Sequence, residues 1–197
     1  MKIGHRDTSE RVVIVAEIGL NHEGNMSVAR ELVMMAADVG ADAVKFQVYR
    51  TERYADPVDA ERYNRLARFE LAPDEFAGLA NLAHGRGLAF IATPLDLESA
   101  DLCIEICDAV KIASKDLDFW PLLERVADSD RPMIVSTGMS DMSRVRKTVE
   151  RLCARRDEDL GLALLHCVSS YPTPPEQAEG MMGSWGAGWM GFWGSAF

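Results

Sequence analysis

Residues 43–47 read AVKFQ, and residues 109–114 read AVKIAS. Apart from Lys45 and Lys111, both stretches start with consecutive apolar residues and lack the alternation of a half-exposed strand. Such runs are typical of parallel strands that are buried on both faces. Four further runs of the same kind occupy residues 12–17, 88–93, 133–137 and 162–167. The sequence therefore predicts six parallel strands.

Amphipathic segments separate these runs and predict helices, several of them opened by a capping residue or a proline. The segments are residues 27–39, 73–86, 97–107, 119–127 and 141–155. Parallel strands joined by helices form either an open doubly wound sheet or a closed eight-stranded barrel.

Polar side chains at the strand ends favour the barrel. They are Glu17, Lys45, Gln47, Thr93, Lys111, Ser114, Ser136, Thr137, His166 and Ser169. An open sheet concentrates such residues at one switch point, whereas a barrel gathers every strand end around one mouth. Six runs of the eight that a barrel needs predict an α/β fold of the incomplete (β/α)8 TIM type.

The C-terminal segment has a different composition. Six glycines and three of the four tryptophans fall in the last 18 residues, and frequent glycine disfavours a helix. We expect a partial barrel domain over residues 1–176 and a tail over residues 177–197 that is foreign to the fold. The alternative is an anchor for a membrane or a partner, because Trp185, Trp189 and Trp193 recur every four residues.

The overall charge limits the partners. A net charge of -10 disfavours binding to nucleic acid or to an anionic membrane surface, because both are polyanions. No secretory leader and no stretch approaching 18 apolar residues is present, which predicts a cytoplasmic protein. Cys103 and Cys107 lack zinc-site spacing and are expected to be buried thiols.

Lys45 and Lys111 predict an anion site, because burying an ammonium group without a counter-charge is costly. The hydroxyls of Thr93, Ser114, Ser136 and Thr137 would complete a cradle for a phosphate or a carboxylate. Glu17 can act as a general acid or base, and its alternative role is a salt bridge to one of the lysines. His22 is expected either to titrate or to make structural hydrogen bonds, and His166 to be a core residue.

Six motifs carry a resemblance to a known family. In order, they are EIGLNHEG (17–24), GADAVKFQ (40–47), FIATPLD (90–96), VKIASKD (110–116), IVSTGMS (134–140) and LLHCVSSYPTPPE (164–176). Over about residues 12–176 the chain resembles N-acetylneuraminate (sialic acid) synthases, which share these motifs with legionaminic and pseudaminic acid synthases and with spore-coat polysaccharide relatives. The resemblance implies condensation of phosphoenolpyruvate with an N-acetylated amino sugar to give a nonulosonic acid and phosphate.

The resemblance also implies roles for single residues. Glu17 matches the family's catalytic carboxylate. The positions that match its phosphoenolpyruvate contacts are Lys45, Thr93, Lys111, Ser114 and Ser136, and those that match its sugar contacts are Gln47 and Tyr171.

The family's divalent metal, Mn or Mg, is held by two histidines beyond the YPTP motif, and neither occurs here. The resemblance also implies a homodimer that uses a further C-terminal domain. We therefore expect this chain to be inactive alone. Two alternatives stay open: another phosphoenolpyruvate–aldehyde synthase, or a non-catalytic module that binds a sugar or an anion.

Overall fold

Two compact units divide the chain: residues 2–110, and residues 111–197 together with Met1. The structure is a computed structural model that describes residues 1–156 and 161–168 and the backbone of residues 190–192. Within these ranges, no helix is long and apolar enough to span a bilayer.

The first unit begins with a short antiparallel hairpin and continues as parallel strands that pair in chain order, joined by helices. Its elements are β1 (Lys2–Ile3), β2 (Arg6–Asp7), β3 (Val15–Gly19), α1 (Met26–Asp38), β4 (Ala43–Val48), α2 (Thr51–Tyr54), α3 (Ala60–Phe69), α4 (Pro73–Gly85), β5 (Ala89–Pro94), α5 (Leu97–Ile106) and the start of β6 (Ala109–Ile112).

The second unit continues the same alternation. After the end of β6 come a 3-10 turn (Ser114–Asp116), α6 (Trp120–Ala127), β7 (Met133–Ser136), α7 (Met142–Cys153), β8 (Leu162–His166) and β9 (Met190–Phe192). Strand β8 pairs in parallel with both β7 and β9. All six predicted strands and all five predicted helices are confirmed, with boundaries that differ by three residues or fewer.

Burial explains why the strands were visible in the sequence. All six residues of β5 are buried, and Ala43, Val44 and Phe46 of β4 are fully inaccessible. Phe46 stacks on Phe90, with ring centroids 5.4 Å apart. Successive side chains of β4 therefore lie on opposite faces of the strand. Phe46 packs among aromatic rings, and Lys45 lies on the other face.

The structure corrects the start of the first strand, which the sequence predicts at residue 12. Val12 and Ile14 are 83% and 60% exposed, and β3 begins only at Val15. The carbonyl oxygen of Ile14 accepts hydrogen bonds from the backbone N–H groups of Asp42 and Ala43. These residues form an exposed approach to the sheet, and their apolar side chains alone do not indicate a buried strand.

The tail also differs from expectation in one place. Residues 190–192 form β9, which is not among the six strands predicted from the sequence. Three residues are too few to show a hydrophobic period, and the pairing with β8 uses backbone groups that any sequence carries. The other residues of 177–197 lie outside the described ranges, so the prediction that the tail is foreign to the fold stays a prediction.

Candidate active site

The neighbouring strands β3 and β4 bring together two of the predicted site residues. Glu17 lies opposite Lys45 in the parallel register, and Lys45 Nζ donates a hydrogen bond to Glu17 Oε1 at 3.0 Å. The Lys45 side chain is 5% exposed and that of Glu17 is 35% exposed. The salt bridge that the sequence left as an alternative is therefore present.

This pair is suited to proton transfer beside a bound anion. The carboxylate of Glu17 balances the buried ammonium group of Lys45, which makes the burial tolerable. The exposed part of the same carboxylate faces solvent and can exchange a proton with a reacting molecule. An anion that approaches Lys45 must share the ammonium group with Glu17.

The end of β5 adds a buried hydroxyl. Thr93 lies in register with Gln47 on β4 and is 3% exposed. Its Oγ1 has no hydrogen-bond partner among the residues that the structure describes. A buried polar atom left unsatisfied costs about 1–3 kcal/mol, so a ligand oxygen or a water molecule at this point would be stabilising. Gln47 is half-buried beside it.

In the second unit, an ammonium group and a hydroxyl lie at adjacent strand ends. Lys111 Nζ on β6 donates a hydrogen bond to Ser136 Oγ on β7 at 2.7 Å, and both residues are buried. Ser136 is neutral, so this contact brings a hydroxyl and no charge to Lys111.

Ser114 is fixed by the loop that follows β7. Its Oγ accepts a hydrogen bond from the backbone N–H of Gly138 at 3.0 Å. A Cβ atom at position 138 would lie 2.9 Å from that same oxygen, so a larger residue would push the hydroxyl aside. The hydroxyl of Thr137 donates to the carbonyl oxygen of Leu165 at 2.8 Å and is used within the protein.

The two predicted histidines are buried. His22 is 1% exposed, and its Nδ1 accepts a hydrogen bond from the N–H of Gly24 at 3.1 Å. Burial lowers the pKa of His22, although Glu75 acts in the opposite direction. The ring lies 6.0 Å from that of Phe46, centroid to centroid. A buried imidazole of this kind is held neutral and serves the loop structure. His166 is 4% exposed.

Asp116 is a buried acidic residue close in sequence to Ser114 that the sequence reasoning did not single out. It lies in the 3-10 turn two residues after Ser114, is 7% exposed, and accepts hydrogen bonds from Lys115 Nζ at 2.7 and 2.8 Å. Burial raises the pKa of the Asp116 carboxyl. The hydrogen bond and positive charge of Lys115 lower this pKa, and the negative charge of Asp118 raises it further. The signal in the sequence was an acidic residue two positions after the last hydroxyl of VKIAS.

We expect Asp116→Asn to gain stability relative to wild type as the pH rises from about 4 to 7. Because the folded pKa lies above the unfolded one, the folded state holds its proton over a pH window in which the unfolded state has lost it. Stability of the wild type falls across that window, and asparagine does not titrate. Urea unfolding at both pH values measures the difference. Asp118→Asn, at an exposed carboxylate, is the control, and an equal gain there would contradict burial as the cause.

Tyr171 and Ser169 lie outside the described residues, so the predictions for them stay predictions.

Over residues 1–156 and 161–168, no group of three or more histidine, cysteine or acidic side chains could hold a metal ion. The described residues thus do not fit the divalent metal that the resemblance implies.

Comparison with known proteins identifies the family. A family model described as the NeuB family matches residues 32–182. The chain belongs to the NeuB family. That span contains all of the site residues discussed above except Glu17 and His22, which lie just before it.

Individual NeuB-family relatives agree with this. An uncharacterized protein of Methanocaldococcus jannaschii is 45% identical, over 91% of this chain and 53% of that protein. The N,N'-diacetyllegionaminic acid synthase of Legionella pneumophila is 33% identical, over 85% of this chain and 51% of the synthase. The chain spans about half the length of the curated relatives it matches.

A solved structure from the same family supports the fold. It is that of the N-acetylneuraminic acid (sialic acid) synthetase of Leptospira borgpetersenii, with a TM-score of 0.78 and 35% identity, over 85% of this chain and 58% of that one. The fold class predicted from the sequence, α/β of the incomplete (β/α)8 TIM type, is confirmed by this likeness.

Proposed function

We propose that this NeuB-family chain contributes to a transferase reaction that condenses phosphoenolpyruvate with an N-acetylated, N-acetylmannosamine-like amino sugar. The products are a nonulosonic, sialic-type acid and phosphate. The observation that carries the proposal is the Lys111–Ser136 contact of 2.7 Å, an ammonium group and a hydroxyl buried together at strand ends. Since the chain has a net charge of -10, local cations of this kind must hold an anionic substrate.

Each predicted residue takes a part in this reaction. Lys45, Lys111 and the hydroxyls of Thr93, Ser114 and Ser136 bind the phosphate and carboxylate oxygens of phosphoenolpyruvate. Gln47 and Tyr171 contact the sugar. An ammonium group hydrogen-bonded to a hydroxyl, as at Lys111 and Ser136, suits the oxygen of an anionic group.

The reaction itself balances with water as the third reactant. A carbon–carbon bond forms between C3 of phosphoenolpyruvate and the sugar aldehyde carbon, water adds at C2, and the bond from C2 to the phosphate oxygen breaks. Glu17, hydrogen-bonded to Lys45, transfers a proton at the reacting carbons. The metal implied by the family enters no step here, because the described residues do not fit it.

The remaining parts of the proposal concern the whole protein. The relatives are about twice the length of the matched region, and the family homodimer and a cytoplasmic location are part of the proposal. That the 197-residue chain is inactive alone stays a prediction.

Calorimetric titration of phosphoenolpyruvate into the wild-type chain and into Lys45→Ala tests the proposal. We expect the wild type to bind and the variant to bind more weakly, because a charge-assisted contact is worth about 1.5–3 kcal/mol. Equal affinities would remove Lys45 from the site, and no binding by either chain would contradict the proposed function.

A phosphate-release assay with added manganese and N-acetylmannosamine tests the prediction of inactivity. We expect no phosphate above the protein-free control. Release that depends on both additions would contradict that prediction and support the reaction itself.

A further inference from the structure

Strand β3 is irregular beside the catalytic pair. Glu17 pairs with Lys45, but the next paired residue is Gly19, which lies opposite Phe46, so the register shifts between positions 17 and 19. Such a bulge puts an extra residue into one strand and redirects the side chains around it. Here the extra residue is Ile18, which is 4% exposed.

Gly19 meets two requirements at this bulge. Its φ is +55°, a left-handed conformation that costs other residues about 1–2 kcal/mol. A Cβ atom at position 19 would also lie 3.2 Å from Glu17 Oε1, closer than ordinary van der Waals contact. That oxygen is the one that accepts the hydrogen bond from Lys45 Nζ.

We propose that Gly19 is a positioning residue that holds the Glu17 carboxylate on Lys45, by leaving empty the space that a side chain would take from Glu17 Oε1. The inference rests on the proposed function for the catalytic role of Glu17. The closeness of position 19 to Glu17 Oε1 is a geometric observation and does not depend on that role.

Displacement of the carboxylate is the expected consequence of filling this space. Glu17 is 35% exposed, whereas Lys45 is 5% exposed. The carboxylate can therefore rotate outward into water, while the buried ammonium group stays in place. A methyl group at position 19 therefore pushes the Glu17 carboxylate outward and weakens its contact with Lys45 Nζ.

The five lysines of the chain make the pair observable by NMR. Lysine labelled with carbon-13 at Cε gives one NMR signal for each lysine. The signal that is lost in the Lys45→Arg variant belongs to Lys45. The reference for a broken pair is Glu17→Gln. In Gly19→Ala we expect the Lys45 signal to move measurably from its wild-type position toward its position in Glu17→Gln.

Gly40→Ala is the matched control. Gly40 also has a positive φ, +83°, but a Cβ atom there would meet nothing within 4 Å. This variant carries the backbone strain without the contact, so its Lys45 signal is expected to stay at the wild-type position. Gly19→Asn is the second test variant, because asparagine tolerates this backbone conformation better than alanine and still carries a Cβ atom.

The outcomes separate the two proposals. A Lys45 signal that is unmoved in Gly19→Ala or Gly19→Asn overturns the positioning role, as does an equal movement in Gly40→Ala. If both Gly19 variants fail to fold while Gly40→Ala folds, Gly19 acts in folding and the proposal is wrong. Because the signal is read without ligand, a wild type that binds no phosphoenolpyruvate contradicts only the proposed function.

Discussion

Gly24→Ala is expected to lower the free energy of unfolding by about 3–5 kcal/mol. Gly24 has a φ of +78° and lies against the last turn of α3. A Cβ atom at this position would overlap the carbonyl oxygen of Arg68, a backbone atom that cannot rotate away. The loop or the helix end must therefore move, and the strain of the left-handed conformation adds to that cost.

Urea unfolding of Gly24→Ala and Gly87→Ala separates the two contributions. Gly87 has a similar φ of +74°, and a Cβ atom there would meet nothing within 4 Å, so its variant should lose only about 1–2 kcal/mol. Equal losses in the two variants would mean that backbone strain alone accounts for the effect and that the overlap with α3 is relieved without cost.

The helix that Gly24 touches is one that the sequence did not reveal. Only Leu66 of α3 is buried, and the segment, although amphipathic, is not among the five helices predicted from the sequence. Its anchor is tertiary: Leu66 packs with Tyr49 and Ala55, and Tyr49 Oη donates to the carbonyl oxygen of Leu66 at 2.9 Å. Residues distant in sequence make this helix stable, and a local pattern cannot show them.

The strands were predictable for the opposite reason. A parallel strand covered on both faces is mostly apolar, and every residue of β5 except Thr93 is apolar. Lysine in such a run is conspicuous because its burial needs a compensating partner. The same reasoning therefore located the strand ends and two of the candidate site residues, Lys45 and Lys111.

The sequence left open which of the two lysines pairs with Glu17. Lys45 and Lys111 occur in nearly the same local sequence, yet one bonds to the carboxylate of Glu17 and the other to the hydroxyl of Ser136. The register between neighbouring strands decides these partners, and the bulge before Gly19 has no apolar pattern to mark it. Likewise, the raised pKa of Asp116 comes from burial, which the sequence does not report.

This difference in partners makes Lys111 the cleaner test of anion binding. Removing Lys45 also leaves the Glu17 carboxylate without its counter-charge, and that carboxylate then repels an anion. Removing Lys111 takes away a hydrogen bond to a neutral serine hydroxyl. The effect of a Lys111 substitution on phosphoenolpyruvate affinity therefore reports the lost ammonium group with less interference.

Lys111→Met is expected to weaken phosphoenolpyruvate binding by about 10- to 100-fold in calorimetric titration, as the loss of one charge-assisted contact requires. Methionine keeps the length of the apolar stem, so the buried strand end stays filled. Lys147→Met is the control, because this lysine lies on α7 and is exposed. Its loss lowers the net charge of the chain equally, so an equal loss of affinity in both variants would assign the effect to overall charge. Unchanged affinity in Lys111→Met would contradict the proposed anion site.

Salt gives a second test, because a buried contact is screened little by dissolved ions. The ratio of the wild-type affinity to the Lys111→Met affinity should therefore stay the same when the titrations are repeated at high ionic strength.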